Sequence, residues 1–303
     1  MHDFKDEIIH GAQRKIRDEV RDYIERLDYG EAFTLGVMDL ELQIRDKEHK
    51  AIRMQEVRSQ VQNKHLRKHR GRAGHYKKLQ PIDIIEWWKA PSDPLDLYLP
   101  FDLSDYTQST YIRIFAGNMI ACAGRQNAGK TSIAQEVIEQ NIDRNLFPGK
   151  IRYLVNESGG PEIRYRLENN TCITPEKWKE NVIVINRSAD YADALDPDAF
   201  NVIDYLTDYE EAWSIGRQMS EVYEVIRNQP GVVWVNLQKD SDRDTGRGGS
   251  VTLDIPRLYL SMNETEVKIV KAKFAGKLNP NGQIRDFKIS EEGNVIPTGT
   301  WHF

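Results

Sequence analysis

The chain has 303 residues, of which 39% are hydrophobic and 29% charged, and a formal net charge of −5. That composition excludes a disordered tail and leaves room for one large domain beside a small one. No apolar run approaches the roughly 20 residues that span a bilayer, and the first residues lack the apolar core of a signal peptide. Neither Cys122 nor Cys172 has metal-ligand spacing, so the expectation is a cytoplasmic protein with no membrane partner.

In chain order, Ile8, Ile9, Ala12, Ile16, Val20, Tyr23, Ile24 and Leu27 recur at helical spacing and predict one helix over residues 4–27. A second helix is expected around Leu35 to Ile44, and a basic third from about Lys47 to His69 with Ile52, Val57, Val61 and Leu66 as its apolar positions. Gly71-Arg72-Ala73-Gly74 breaks that pattern before the extended Tyr76 to Leu79. Three helices closed by a basic hairpin are the order of a small α-rich winged-helix domain, expected over residues 1–90. Ala90-Pro91-Ser92-Asp93-Pro94 marks the linker, placed at residues 91–95.

From residue 96 to 303 short apolar runs alternate with helical patterns, which predicts βαβ units and a mainly parallel sheet. The expected strands are Met119 to Ala123, Ile151 to Val155, Val182 to Ile185, Phe200 to Asp204, Val232 to Leu237, Arg257 to Met262 and Val267 to Ala272. Helices are expected at Lys130 to Gln140, Glu162 to Glu168 and Trp213 to Arg227.

The first of these strands runs into Gly124, Arg125, Gln126, Asn127, Ala128, Gly129, Lys130 and Thr131, followed by Ser132 and an amphipathic helix. Strand, glycine loop and helix with Lys-Thr at the junction form a P-loop. Its backbone N–H groups and helix N-terminus cradle a β-phosphate, Lys130 reaches the β and γ oxygens, and the Thr131 hydroxyl meets Mg²⁺. The expected ligands are therefore ATP and Mg²⁺. A second magnesium-holding acid should end a neighbouring apolar strand, and Asp204 does so after Phe200-Asn201-Val202-Ile203. A group that positions or deprotonates water is also needed, and Glu157, just beyond the strand ending at Val155, is the candidate.

Together these residues resemble the RecA-like ATPases, and among them the ATPase domain of DnaB-type replicative helicases, over roughly residues 96–296. Asp204-Tyr205-Leu206 resembles the family's second nucleotide motif, and Asn156-Glu157-Ser158 the strand end bearing its catalytic glutamate. Val235-Asn236-Leu237-Gln238-Lys239 resembles the strand whose terminal glutamine, here Gln238, senses the γ-phosphate. Lys268 to Lys273 resembles the strand whose basic pair, here Lys271 and Lys273, reaches a neighbouring subunit's nucleotide. The resemblance implies a RecA-like P-loop NTPase core, ATP hydrolysis and a homo-oligomer, either a ring or a filament. In such proteins loops like Lys239 to Ser250 line a DNA channel.

Charge is unevenly spread. Between Arg45 and Lys78 twelve Lys or Arg oppose three acids, a local +9 that leaves −14 for the rest of the chain. That is the footprint of a duplex-binding element. The candidate DNA contacts are Arg53, Lys64 and Arg67 on the expected third helix, with Arg70, Arg72 and Lys77 on the hairpin. The leading expectation is a DNA-associated ATPase that couples hydrolysis to DNA binding, translocation or loading. The alternative is an ATP-gated adaptor in which nucleotide controls oligomerisation and recruitment of a protein partner.

Overall fold

The computed structural model describes residues 15–69, 71–82, 84–169, 173–207, 214–276, 278–291 and 293–303. The chain divides into two compact units, Met1–Ala90 and Pro91–Phe303.

In the first unit, helix α1 covers residues 15–26, the described part of the expected first helix, whose residues 4–14 lie outside the described residues. Strand β1 (Ala32–Thr34), helices α2 (Leu35–Glu41) and α3 (Lys47–Gln62), and strands β2 (Leu66–Lys68) and β3 (His75–Lys78) follow. The three strands form an antiparallel sheet in the order β1-β3-β2. Side-chain caps start both later helices: Thr34 Oγ1 accepts from the Val37 N–H at 3.2 Å, and Asp46 Oδ1 from the His49 N–H at 2.7 Å. Ile16, Val20, Tyr23, Phe33, Met38, Ile52, Val57, Leu66 and Tyr76 close the core.

The basic third helix stops at Gln62, not at His69. Lys64 takes a φ of 61°, which ends the helix, and Leu66 turns into the core as part of a strand paired with Lys78. Tertiary burial of Leu66 overrides the helical spacing that included it. Arg67 accordingly stands on β2 and not on a helix face.

The second unit carries a nine-stranded sheet in the order β12-β11-β10-β9-β4-β8-β7-β5-β6. Its strands are β4 (Met119–Gly124), β5 (Ile151–Val155), β6 (Val182–Asn186), β7 (Phe200–Leu206), β8 (Val232–Gln238), β9 (Leu258–Met262), β10 (Glu266–Ala272), β11 (Ile284–Ile289) and β12 (Val295–His302). The stretch from β6 to β9 is parallel throughout, and β9 to β12 is antiparallel. Strands β11 and β12 are additions to the expected set. Their exposed alternate positions and the polar residues of Val295–His302 give a weak apolar signal.

Helices α4 (Lys130–Ile142), α5 (Gly160–Asn169), α6 (Pro175–Asn181) and α7 (Ile215–Ile226) connect the strands. The period of two along β4 explains the layering. Ile120 and Cys122 face a core shared with Ile133, Val137 and Ile138 of α4, while Met119, Ala121 and Ala123 face one shared with Met219, Val222 and Ile226 of α7. Burial on both faces is why β4 and β8 read as continuous apolar runs. The expected start of the helix at Trp213 lies outside the described residues, as does Cys172.

Candidate phosphate-binding site

β4 delivers the chain to a loop that only particular residues can build. Asn127 and Gly129 adopt φ of 61° and 86°. The φ of Gly129 is one that side chains rarely adopt, and a Cβ on Gly124 would come within 2.7 Å of Lys130 Cγ and 3.1 Å of its Cδ, so a side chain at either position would disturb the loop. Arg125, Gln126 and Asn127 keep some or most of their surface exposed, Ala128 is buried, and Thr131 and Ser132 are half-buried in the first turn of α4. The N–H groups of that first turn have no partner within the helix, which is what makes such a terminus suited to anions.

Lys130 is only 8% exposed. Its ammonium donates to the carbonyls of Gly124 at 3.2 Å and Arg125 at 2.8 Å, and sits 5.7 Å from the Tyr205 ring centre. Burial lowers its pKa below the ordinary lysine value, while the charges of Asp204 and Glu157 pull the other way.

Asp204, in β7, is 7% exposed and held at both oxygens. Asn236 Nδ2 donates to Oδ1 at 2.9 Å, and the Tyr153 hydroxyl donates to Oδ2 at 3.0 Å. The same Asn236 amide donates to the Lys130 carbonyl at 2.8 Å, and its Oδ1 accepts from the Trp234 indole at 2.8 Å. One buried amide thus ties the first turn of α4 to the carboxylate of β7. The hydroxyl of Thr131 and the carboxylate of Asp204 are hard oxygen donors of the kind Mg²⁺ takes, so the residues present fit that ion.

Beyond Asp204, joined to it by a cis peptide bond, Tyr205 donates from its hydroxyl to Glu157 Oε1 at 2.7 Å. Asn156 Nδ2 donates to the Tyr205 carbonyl at 2.7 Å. Glu157 itself is exposed. Gln238, half-buried at the end of β8, lies abreast of Gly124, and its carbonyl accepts from the Arg247 N–H at 2.7 Å. Tyr153 joins the site unexpectedly, and Asn236 and Tyr205, which the sequence offered only as neighbours within the Gln238 and Asp204 motifs, take hydrogen-bonding roles there that had not been assigned. The available signal was Asn236 itself, a polar residue inside the apolar strand Val232–Gln238.

Lys271 and Lys273 differ in their surroundings. The Lys271 ammonium donates to the carbonyls of Leu253 and Asp254 of its own chain, and burial, followed by the charge of Lys273, lowers its pKa. Lys273 is exposed.

Among the basic residues of the first unit, Lys64, Arg67 and Arg72 are exposed and Lys77 is half-buried, while Arg70 lies outside the described residues. Arg53 departs from the expected DNA contact. It is 6% exposed and holds Asp39 through Nε at 2.9 Å and Nη2 at 3.0 Å. Its place beside Ile52 and Val57 on the inner side of α3 turns it into the core, where a guanidinium needs a carboxylate. Lys78 is likewise drawn inward, donating to the carbonyls of Glu25 and Leu27 at 2.7 Å each.

Among the described residues no helix is long and apolar enough to cross a membrane, and no cluster of three or more His, Cys, Asp or Glu could hold a metal ion. No protein-family profile matches the chain, and no curated protein matches it. Among solved structures, a KaiC-like protein from the hyperthermophilic archaeon Pyrococcus horikoshii OT3 matches with a TM-score of 0.53 at 14% identity, over 69% of this chain and 100% of that one. At that identity the likeness concerns the fold alone, an α/β fold with a mostly parallel central sheet.

Proposed function

We propose that this chain is an Mg²⁺-dependent ATPase of the DnaB-like kind that acts on DNA through a winged helix in its first unit. The observation that carries the enzymatic reading is the hydrogen-bonded run beneath the loop, from the Lys130 carbonyl through Asn236 to Asp204 and Tyr153. A buried carboxylate with both oxygens fixed beside a P-loop lysine is an expensive arrangement unless it serves chemistry.

In this reading the N–H groups of Gly124 to Ser132 hold the phosphates and Lys130 neutralises the β and γ oxygens. Thr131 and Asp204 hold Mg²⁺, which when bound spreads the charge of the phosphates. Glu157, oriented by Tyr205, accepts the proton of the attacking water. Gln238, hydrogen-bonded to the following loop, passes the presence of the terminal phosphate to Lys239 through Ser250. Lys273 is the better candidate for reaching a neighbouring subunit's nucleotide, because Lys271 is engaged within its own chain. A homo-oligomer, ring or filament, follows from that role.

The DNA side rests on the order α1, β1, α2, α3, β2, β3 with the sheet β1-β3-β2, and on the exposed Lys64, Arg67 and Arg72. The second reading, an ATP-gated adaptor, gains from the inward turn of Arg53 and Lys78, which removes two cations from the basic face. Its occupant would be a protein partner in place of DNA.

The test is ATP turnover with and without single- and double-stranded DNA, run beside a sizing measurement with and without nucleotide. Stimulation by DNA supports the first reading. Turnover indifferent to all DNA, with nucleotide-dependent assembly, supports the second. A wild-type chain that neither binds nor cleaves ATP sinks both.

A further inference from the structure

The loop between β8 and β9 contains an arginine that the residue pattern of the phosphate site did not include. Its anchoring is tight. Lys239 donates its N–H to the Gly124 carbonyl at 3.1 Å, Lys239 and Gly246 form an antiparallel bridge, and the Arg247 N–H donates to the Gln238 carbonyl at 2.7 Å. Gly246 donates to the Tyr259 hydroxyl at 2.7 Å, and a Cβ there would lie 2.8 Å from Leu237 Cβ. No side chain fits at Gly246, so the backbone of Arg247 is pressed against the end of β8.

That end is the one from which the P-loop leaves. Gly124 and Gln238 are register partners, and Arg247 is one further hydrogen bond away, so its backbone stands about two strand spacings, ~10 Å, from Gly124. Its side chain is exposed by about half and holds Asp240 only loosely, through Nε at 3.6 Å, which leaves most of its five donors for another acceptor. Its charge also acts on Lys130, opposing the ammonium there. A half-exposed arginine on a backbone fixed at this strand end adds positive charge to the sheet edge that carries Lys130, which favours an anion there.

We infer that Arg247 binds the terminal phosphate of ATP in cis, as the second cation of its own chain's site. The inference rests on the ATPase reading above. During hydrolysis the water oxygen bonds to the γ-phosphorus, the bond from that phosphorus to the β–γ bridging oxygen breaks with its electron pair staying on ADP, and the water proton passes to Glu157. Arg247 neutralises the oxygens of the transferred group through this step. Because the same residue is hydrogen-bonded to Gln238, loss of the terminal phosphate would release the loop at that end.

Three measurements on the full chain test this: ATP turnover, the ratio of affinities for a non-hydrolysable ATP analogue and ADP, and turnover of mixed variants. Arg247→Ala is expected to lower turnover by at least ~100-fold, within the range an arginine on a transferred phosphoryl group supplies. It should also reduce the preference for triphosphate, which Lys130 alone then supplies, while leaving ADP affinity within about twofold. Arg247→Lys keeps the charge and the fold without the planar fork, and should recover only part of each loss. A mixture of Arg247→Ala with Lys130→Ala chains should stay inactive, since neither site then contains both cations. Recovery in the mixture would mean the arginine acts across a subunit boundary and overturns the cis assignment. Unchanged turnover and triphosphate preference in Arg247→Ala would overturn the role altogether. A wild-type chain that binds no ATP would instead defeat the underlying ATPase reading.

Discussion

Asn236 donates from a single amide nitrogen both to Asp204 Oδ1 at 2.9 Å and to the Lys130 carbonyl at 2.8 Å. The amide is fully buried and joins strand β8 to strand β7 and helix α4. It sets the distance between the phosphate loop and the carboxylate proposed to hold magnesium.

Replacing that amide with Asn236→Leu leaves the Asp204 oxygen and the Trp234 N–H without a buried partner. The expected cost is about 1–3 kcal/mol of stability, read from the midpoint of urea unfolding. Turnover should fall as well, because Asp204 is then held only by Tyr153. A variant as stable and active as the wild type would show that the amide has no such role.

Lys130→Ala is expected to abolish ATP turnover by removing the cation on the phosphates. Glu157→Gln should leave ATP bound and uncleaved. Tyr205→Phe is the finer probe. It removes only the hydroxyl that donates to Glu157, and since that carboxylate is exposed the loss should be about 1 kcal/mol, near fivefold in rate, with nucleotide affinity kept. Equal losses for the two Glu157 and Tyr205 variants would contradict a merely orienting tyrosine.

Stability should depend on pH through Glu136 on α4. Burial raises its pKa to about 7, opposed by the Tyr98 hydroxyl that donates to it and reinforced by Asp102, and its second oxygen is buried without a hydrogen-bond partner. The folded value lies above the unfolded one of 4.5, so the folded chain holds this proton more tightly. The associated stability is complete below pH 4.5 and is lost as pH rises to about 7, by up to about 3 kcal/mol. Glu136→Gln should remove this component. Subtracting the variant's urea midpoints from those of the wild type at pH 5 and pH 8 isolates it, and parallel curves would refute it.

Charge reversal at Arg67 and Arg72 is expected to weaken DNA binding and flatten its salt dependence, by about 0.9 in logarithmic slope for each phosphate that the chain no longer neutralises. Arg53→Ala should behave otherwise. It strands Asp39 in a mostly buried position and should destabilise the first unit by about 3 kcal/mol while the salt slope of any remaining DNA binding is unchanged. A salt slope altered by Arg53→Ala in a folded variant would return that arginine to the nucleic-acid face.

The sequence alone determined what is local. Gly124 to Thr131 are consecutive, and the conformations of Asn127 and Gly129, the strand before them and the helix after them are properties of neighbouring residues. The alternation of short apolar runs with helical patterns likewise announced a mainly parallel sheet, because strands buried on both faces have no polar face to show. What depends on meetings between distant positions was decided only by the tertiary structure. Leu66 fits a helical pattern equally well until β3 offers it a partner, and Arg53 looks like any surface cation until Asp39 meets it in the core. Asn236 reaches Lys130 across 106 residues and Asp204 across 32, and the Arg247 N–H meets the Gln238 carbonyl at the strand end abreast of Gly124. No spacing rule encodes those meetings, since they arise when packing the strands brings separate segments to one edge of the sheet and buried polar groups there must find one another.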